Sequence, residues 1–137
     1  MSLQIARRDR EGIAIYDLTG RLVVGPSTNQ FREAMEQSVS GGSPNILLNL
    51  KGVEYIDSTG LGALVLCFTK SQKAGGALKL LFLNRRDMEL LLLTKLTTIF
   101  DVYNDEQDAV NSYFPDREIK RFDILSFVKQ NRDSEDN

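Results

Sequence analysis

Two hydroxyl side chains stand where the sequence predicts the start of a helix. The run is Asp57-Ser58-Thr59-Gly60-Leu61-Gly62. Phosphate on a serine adds about −1.5 to −2 charges, and the first turn of a helix offers N–H groups and a partial positive charge to receive it. Glycines carry no side chain, so a second protein can approach the backbone closely. The run therefore suits a modifiable contact surface.

The same pattern also fits two other interpretations. Aspartate or serine before an apolar helical stripe is a common N-cap, and on spacing alone this plainer interpretation is favoured. A catalytic serine is disfavoured, because the sequence contains no histidine to act as its base and no Ser-x-x-Lys or Gly-x-Ser-x-Gly motif. We therefore expect a protein that is not an enzyme.

Composition excludes several other classes. A chain of 137 residues with a net charge of −2 suits one domain without a basic surface for nucleic acid or anionic lipid. The single cysteine, Cys67, rules out an internal disulfide and, without histidine, argues against a Cys/His metal site. We expect no metal, no cofactor and no direct membrane insertion. The absence of a signal peptide or long apolar segment predicts a cytoplasmic protein.

Hydrophobic periodicity predicts the elements that position the run. Strand patterns at 3–7 and 13–18 form a hairpin, and a third short strand is predicted at 22–24. A helix begins at Pro26 with a capping box of Ser27 and Gln30. The remaining predicted elements are a buried strand at 46–50, a helix from Ser58 to Gly75, a strand at 78–83, a helix at 87–96, a strand at 99–103 and a helix capped by Asn104 and Gln107.

This order predicts an α/β fold. Strands that alternate with helices after an opening hairpin build a mixed, mostly parallel sheet flanked by about four helices. We assign residues 1–114 to this domain. Residues 115–137 form a charged C-terminal extension, partly disordered or weakly helical.

The run at 57–62, with the preceding residues 50–56, resembles the signature of STAS domains, and specifically of bacterial anti-sigma factor antagonists. The resemblance extends from Leu3 to Phe114 without large gaps. It implies that the unphosphorylated domain binds an anti-sigma factor that is also a serine kinase, and that phosphorylation of Ser58 breaks this complex. A PP2C-type phosphatase then reverses the modification. The resemblance favours Ser58 over Thr59 as the phosphorylated residue, with all six residues of the run contacting the partner.

Two features depart from this family pattern. The family often has an aspartate at the position of Val23. If that acid assists recognition or phosphorylation, its replacement by valine argues against the kinase step. The extension passes the usual end of the domain; it is either a solvated segment, or a docking segment or flap over Ser58. Both departures favour an alternative function, a constitutive STAS adapter in a transporter or a stress-sensing complex that needs no phosphorylation.

Overall fold

The computed structural model describes residues 3–120 and 122–136, and these residues include one five-stranded sheet. The spatial order of the strands is their order along the chain, and β1 is antiparallel to β2 while all other pairs are parallel. The strands are β1 (Gln4–Arg10), β2 (Ile13–Leu22), β3 (Ile46–Ile56), β4 (Leu78–Leu81) and β5 (Val102–Tyr103). The predicted mixed, mostly parallel α/β fold is confirmed.

The opening hairpin closes through a two-residue turn. Glu11 and Gly12 both have positive φ, at 52° and 82°. Turns with two such residues match the twist of antiparallel strands and therefore hold β1 against β2.

Within the described ranges, five α-helices follow the strands. They are α1 (Pro26–Ser40), α2 (Ser58–Lys73), α3 (Arg85–Leu93), α4 (Glu106–Asn111) and α5 (Ile124–Asp136), with a 3-10 turn at Leu96–Thr98. Phe31 of α1, Leu64 of α2 and Met88 of α3 belong to one hydrophobic cluster, on one face of the sheet. Ala109 and Val110 of α4 belong to a second cluster on the opposite face. The start of α2 thus lies where β3 ends, on the more heavily covered face.

Two strand predictions need correction. There is no separate strand at 22–24, because β2 continues past Gly20, where the pairing register shifts, and ends at Leu22. The strand predicted at 46–50, which is β3, continues to Ile56. Its extra residues pair with β2, so β3 leads directly into Asp57.

Two cap predictions are also wrong. The capping box of Ser27 and Gln30 does not form: Gly25, with φ 109°, is the N-cap of α1, and no side chain caps this helix. The hydroxyl of Ser27 bonds to the backbone of Val23 instead. The N-cap of α4 is Asp105 rather than Asn104, and its carboxylate accepts a hydrogen bond from the Asp108 N–H at 2.9 Å.

The other differences are shifts of element boundaries. The left-handed backbone of Phe82, with φ 59°, follows directly on the last residue of β4. The side chain of Asn84 accepts a hydrogen bond from the Asp87 N–H at 2.7 Å, so α3 begins at Arg85 rather than at Asp87, and it ends at Leu93 rather than at residue 96. Residues 99–101 are not part of β5.

Part of the extension packs against the sheet domain. Ile119 contacts the cluster beneath α4, whereas Ile124 and Val128 are buried in the cluster that contains Met88 of α3. Ile119 and Ile124 therefore pack against opposite faces of the sheet. The division at residue 114 stays a prediction. Among the described helices, none has the length and apolar character needed to cross a bilayer.

Candidate functional site

Asp57 organises the first turn of α2. It is the N-cap, and its Oδ1 atom accepts a hydrogen bond from the Gly60 N–H at 2.8 Å. Its other oxygen, Oδ2, accepts from the Val24 N–H at 2.9 Å. Burial alone would raise the pKa of Asp57, but these backbone donors, together with the Thr59 N–H, lower it below its ordinary value. The carboxylate is thus held ionised by groups that surround the turn, as expected for the predicted cap.

Ser58 and Thr59 are the first two residues of α2, and both are exposed. The helix behind them has 16 residues and ends with Lys70 and Lys73 in its last turn. Those lysines complement the negative end of the helix dipole, while the positive end faces Ser58. Both residues are therefore accessible to another protein without unfolding of the helix.

The two glycines of the run have different surroundings. Gly60 is buried, and a Cβ atom there would lie 2.1 Å from the carbonyl oxygen of Leu22. Gly62 is exposed, and a Cβ atom there would meet nothing within 4 Å. Gly60 is thus needed for a close contact within the molecule, whereas Gly62 has open space around it; the approach of a partner stays a prediction. Leu61 is 8% exposed and belongs to the core.

Sequence reasoning missed one exposed residue that is bonded to the first turn of α2, Val24. Its backbone is tied to Asp57, and its side chain is 68% exposed. Val23, the position of the expected aspartate, is half-buried, and its backbone is bonded to the hydroxyls of Ser27 and Thr28. The only signal for Val24 in the sequence is an apolar residue next to the turn residues Gly25 and Pro26.

Charged side chains contact the last residues of β3, the strand that leads into the turn. The guanidinium of Arg86 stacks on the ring of Tyr55, with 4.3 Å between its central carbon and the ring centroid. Arg21 and Glu54 form an exposed ion pair at 3.7 Å. Glu54 and Tyr55 lie near the end of β3, shortly before Ser58 in the chain. The two arginines and the Glu54 carboxylate therefore lie close to the end of this strand.

Nothing in the described segments forms a metal site. No group of three or more histidine, cysteine, aspartate or glutamate side chains suited to a metal ion occurs within residues 3–120 and 122–136. Cys67 is 2% exposed, and its burial raises the pKa of the thiol to about 11. It packs as a small apolar residue in the core.

Comparisons with known proteins agree with this fold. The family model described as "STAS domain" matches residues 4–109. An anti-sigma-B factor antagonist of Bacillus subtilis is 32% identical, over 80% of this chain and 99% of its own length. An anti-sigma F factor antagonist of Paenibacillus polymyxa is 28% identical, over 80% of this chain and 94% of its own.

Among solved structures, a candidate anti-sigma factor antagonist from Thermotoga maritima superposes with a TM-score of 0.75. It is 24% identical, and the match covers 80% of this chain and 93% of that one. This likeness concerns the fold. Because the family model spans most of the sequence, including the turn from Asp57 to Gly62, the chain belongs to the STAS domain family.

Proposed function

We propose that this protein is an anti-sigma factor antagonist whose binding is switched by phosphorylation of Ser58. The unphosphorylated form binds an anti-sigma factor serine kinase and thereby frees a sigma factor for transcription. The kinase phosphorylates Ser58 and is released, and a PP2C-type phosphatase restores the binding form. The observation that carries this proposal is the exposed hydroxyl of Ser58 at the first position of α2, beside a carboxylate cap.

The names of the two curated relatives support the role. Both are described as antagonists of anti-sigma factors. Both align with at least nine tenths of their own length, so the match covers their whole domain. The anti-sigma factor is accordingly the partner class that we assign to this chain.

The geometry gives phosphate a direct way to break such a complex. Ser58, Thr59 and Gly62 share the exposed part of the first turn, so a protein bound there covers the hydroxyl of Ser58. A dianion trapped in that interface loses its water and adds repulsion against acidic groups. A cost of about 3–5 kcal/mol lowers affinity by two to four orders of magnitude. That range suffices to operate a two-state switch.

Three substitutions of Ser58 test the proposal. Binding to the anti-sigma factor kinases of the source organism is measured for wild type, Ser58→Asp, Ser58→Asn and Ser58→Ala. Asp and Asn have the same size, so their difference isolates the charge. We expect Asn and Ala to bind within about fivefold of wild type and Asp to bind at least roughly 100-fold more weakly. Equal affinity of Asp and Asn contradicts the proposal.

Val23 favours a second candidate, a constitutive adapter in a transporter or stress-sensing complex. The family's usual aspartate is replaced here by a half-buried apolar side chain. If that acid assists phosphorylation, the kinase step is lost while a contact surface remains. Incubation with candidate kinases and ATP, followed by intact-mass analysis, separates the two: modification of Ser58 supports the switch, and a stable complex unaffected by phosphate supports the adapter.

A further inference from the structure

One carboxylate joins two separate surface elements. Asp57 uses Oδ1 to bind the Gly60 N–H inside the first turn of α2, at 2.8 Å. It uses Oδ2 to bind the Val24 N–H in the loop between β2 and α1, at 2.9 Å. Ser58 is the residue next to this carboxylate in the chain, so a change at Ser58 acts on a group that also holds the loop.

The loop has a fixed part and a part that depends on Asp57. Val23 is fixed to α1: its N–H donates to the Ser27 hydroxyl at 3.1 Å, and its carbonyl accepts from that hydroxyl at 2.9 Å. Gly25, on the other side of Val24, has φ 109°, a conformation that glycine adopts without strain. Val24 therefore lies between an anchored residue and a permissive one, and Asp57 ties its N–H to α2.

From this connection, and resting on the proposed function, we propose that Val24 is part of the partner-binding surface and that phosphate on Ser58 releases Val24 through Asp57. The partner fitted by this surface is a protein that offers an apolar patch for Val24 beside the groups that contact Ser58. The side chain of Val24 is 68% exposed and apolar, and its N–H is bonded to Asp57, the residue directly before the exposed Ser58 and Thr59.

Electrostatics gives the direction of the effect. A dianionic phosphate on Ser58 stands one residue from the ionised Asp57, and the two like charges repel. The carboxylate and the phosphate also compete for hydrogen bonds from the same N–H donors of the first turn. These donors favour the phosphate, because it carries more charge. The Asp57 side chain then turns away from its present position, and the bond to Val24, which lies outside the helix, is lost. Phosphorylation thereby changes the surface at Val24 as well as at Ser58.

Hydrogen exchange of single amides measures this coupling without any partner. Phosphoserine is incorporated genetically at position 58 of the full chain, and exchange is followed by NMR. We expect the Val24 amide to exchange roughly tenfold or more faster than in wild type, because its charged acceptor is lost. The Val23 amide, bonded to Ser27, is the internal control and stays within about twofold. Ser58→Asp and Ser58→Asn provide the same comparison with charge as the only difference.

Asp57→Asn tests the connecting residue. Asparagine is as good an N-cap as aspartate, but the two bonds of Asp57 use different oxygens, and asparagine replaces one of these with an NH2 group that cannot accept. We expect this variant to keep α2 capped, to exchange the Val24 amide roughly tenfold faster with Ser58 unmodified, and to show no further rise with phosphoserine.

Val24→Ser tests the surface. Loss of an exposed apolar contact should weaken partner binding about fivefold or more, while the urea midpoint of unfolding stays at the wild-type value. Leu125→Ser, at a 62% exposed apolar position on α5, is the matched control and should bind as wild type. Wild-type affinity of the Val24 variant overturns the surface assignment.

The coupling and the proposed function fail in different ways. Exchange of the Val24 amide that stays within about twofold in the phosphoserine protein overturns the coupling, even when phosphate abolishes partner binding. Faster exchange with unchanged partner affinity supports the coupling and overturns the proposed switch. The two conclusions are therefore separable with one set of variants.

Discussion

The carbonyl oxygen of Leu22 fills the space that a Cβ atom on Gly60 would need, at a distance of 2.1 Å. The same carbonyl accepts a hydrogen bond from the Asp57 N–H at 3.2 Å. The end of β2 and the first turn of α2 thus meet backbone to backbone. This contact fixes the position of Ser58 relative to the sheet.

Gly60→Ala should therefore be strongly destabilising. The added methyl group meets backbone atoms of β2, which cannot move aside as a flexible side chain would, and we expect a loss of about 3 kcal/mol or more in unfolding free energy. Urea unfolding measures it.

Gly62→Ala is the matched control for this prediction. Its added methyl group meets nothing within 4 Å, and alanine is the better helix former, so we expect a gain of up to about 1 kcal/mol. Equal effects of the two substitutions would contradict the contact between Leu22 and Gly60.

The hydroxyls and the cap of the site were predictable from the sequence, and the packing beneath them was not. Aspartate before serine and an apolar helical stripe predicts the N-cap at Asp57, and the structure confirms it. Gly60 is buried against Leu22 at the end of β2, and a contact between residues so far apart in the sequence cannot be read from local patterns. Val24 was missed for the same reason, because its bond to Asp57 joins residues 33 positions apart.

The strand and helix order was likewise readable, whereas several boundaries were not. A periodic pattern gives the type of an element, but its end depends on competing partners. The third strand continues beyond residue 50 because β2 supplies backbone partners up to Ile56. The capping box at Ser27 fails because Val23 competes for the Ser27 hydroxyl.

Asp57 should make stability depend on acid pH. Its pKa in the folded protein is lowered by backbone donors although burial opposes this, so its contribution is present above the pKa of an unfolded aspartate, about 4. That contribution is lost as pH falls through the lower folded pKa. We expect Asp57→Ala to cost about 0.5–2 kcal/mol at neutral pH and less at about pH 3, as measured by urea unfolding.

The control for the loss of a carboxylate is Asp116→Ala, in an exposed turn. It should change stability by less than about 0.5 kcal/mol at neutral pH. An Asp57→Ala effect of the same size at both pH values contradicts an ionised cap.

Asp87 should act in the opposite direction. It is 1% exposed at the start of α3, and burial raises its pKa to about 7, although Arg86 opposes the shift. Because the folded pKa exceeds the unfolded one, folding favours the protonated form, and stability is lost as pH rises from about 4 to about 7. Asp87→Asn cannot ionise and avoids this loss.

The comparison of Asp87→Asn with wild type by urea unfolding at about pH 5 and about pH 8.5 checks this prediction. We expect the variant to gain relative to wild type between these two pH values, by at most about 3 kcal/mol, because about two of the three pH units between the unfolded and folded pKa values lie above pH 5. A difference that does not vary with pH would show that Asp87 ionises freely in the folded protein.

Three neighbouring positions of α5 test whether the extension is an integral part of the domain. Ile124 and Val128 are 8% and 4% exposed in the cluster that contains Met88, whereas Leu125 between them is 62% exposed. Truncation of a buried aliphatic side chain removes its transfer free energy and leaves a cavity. We expect Ile124→Ala to cost about 2–4 kcal/mol, Val128→Ala about 1–3 kcal/mol, and Leu125→Ala less than about 0.5 kcal/mol in unfolding free energy. All three substitutions sit on one helix and replace an aliphatic side chain with alanine, the best helix former, so a larger loss at Ile124 and Val128 than at Leu125 reports burial. Equal, small effects at the three positions would mean that α5 does not pack against α3 in solution, and that the sheet domain is stable without its extension.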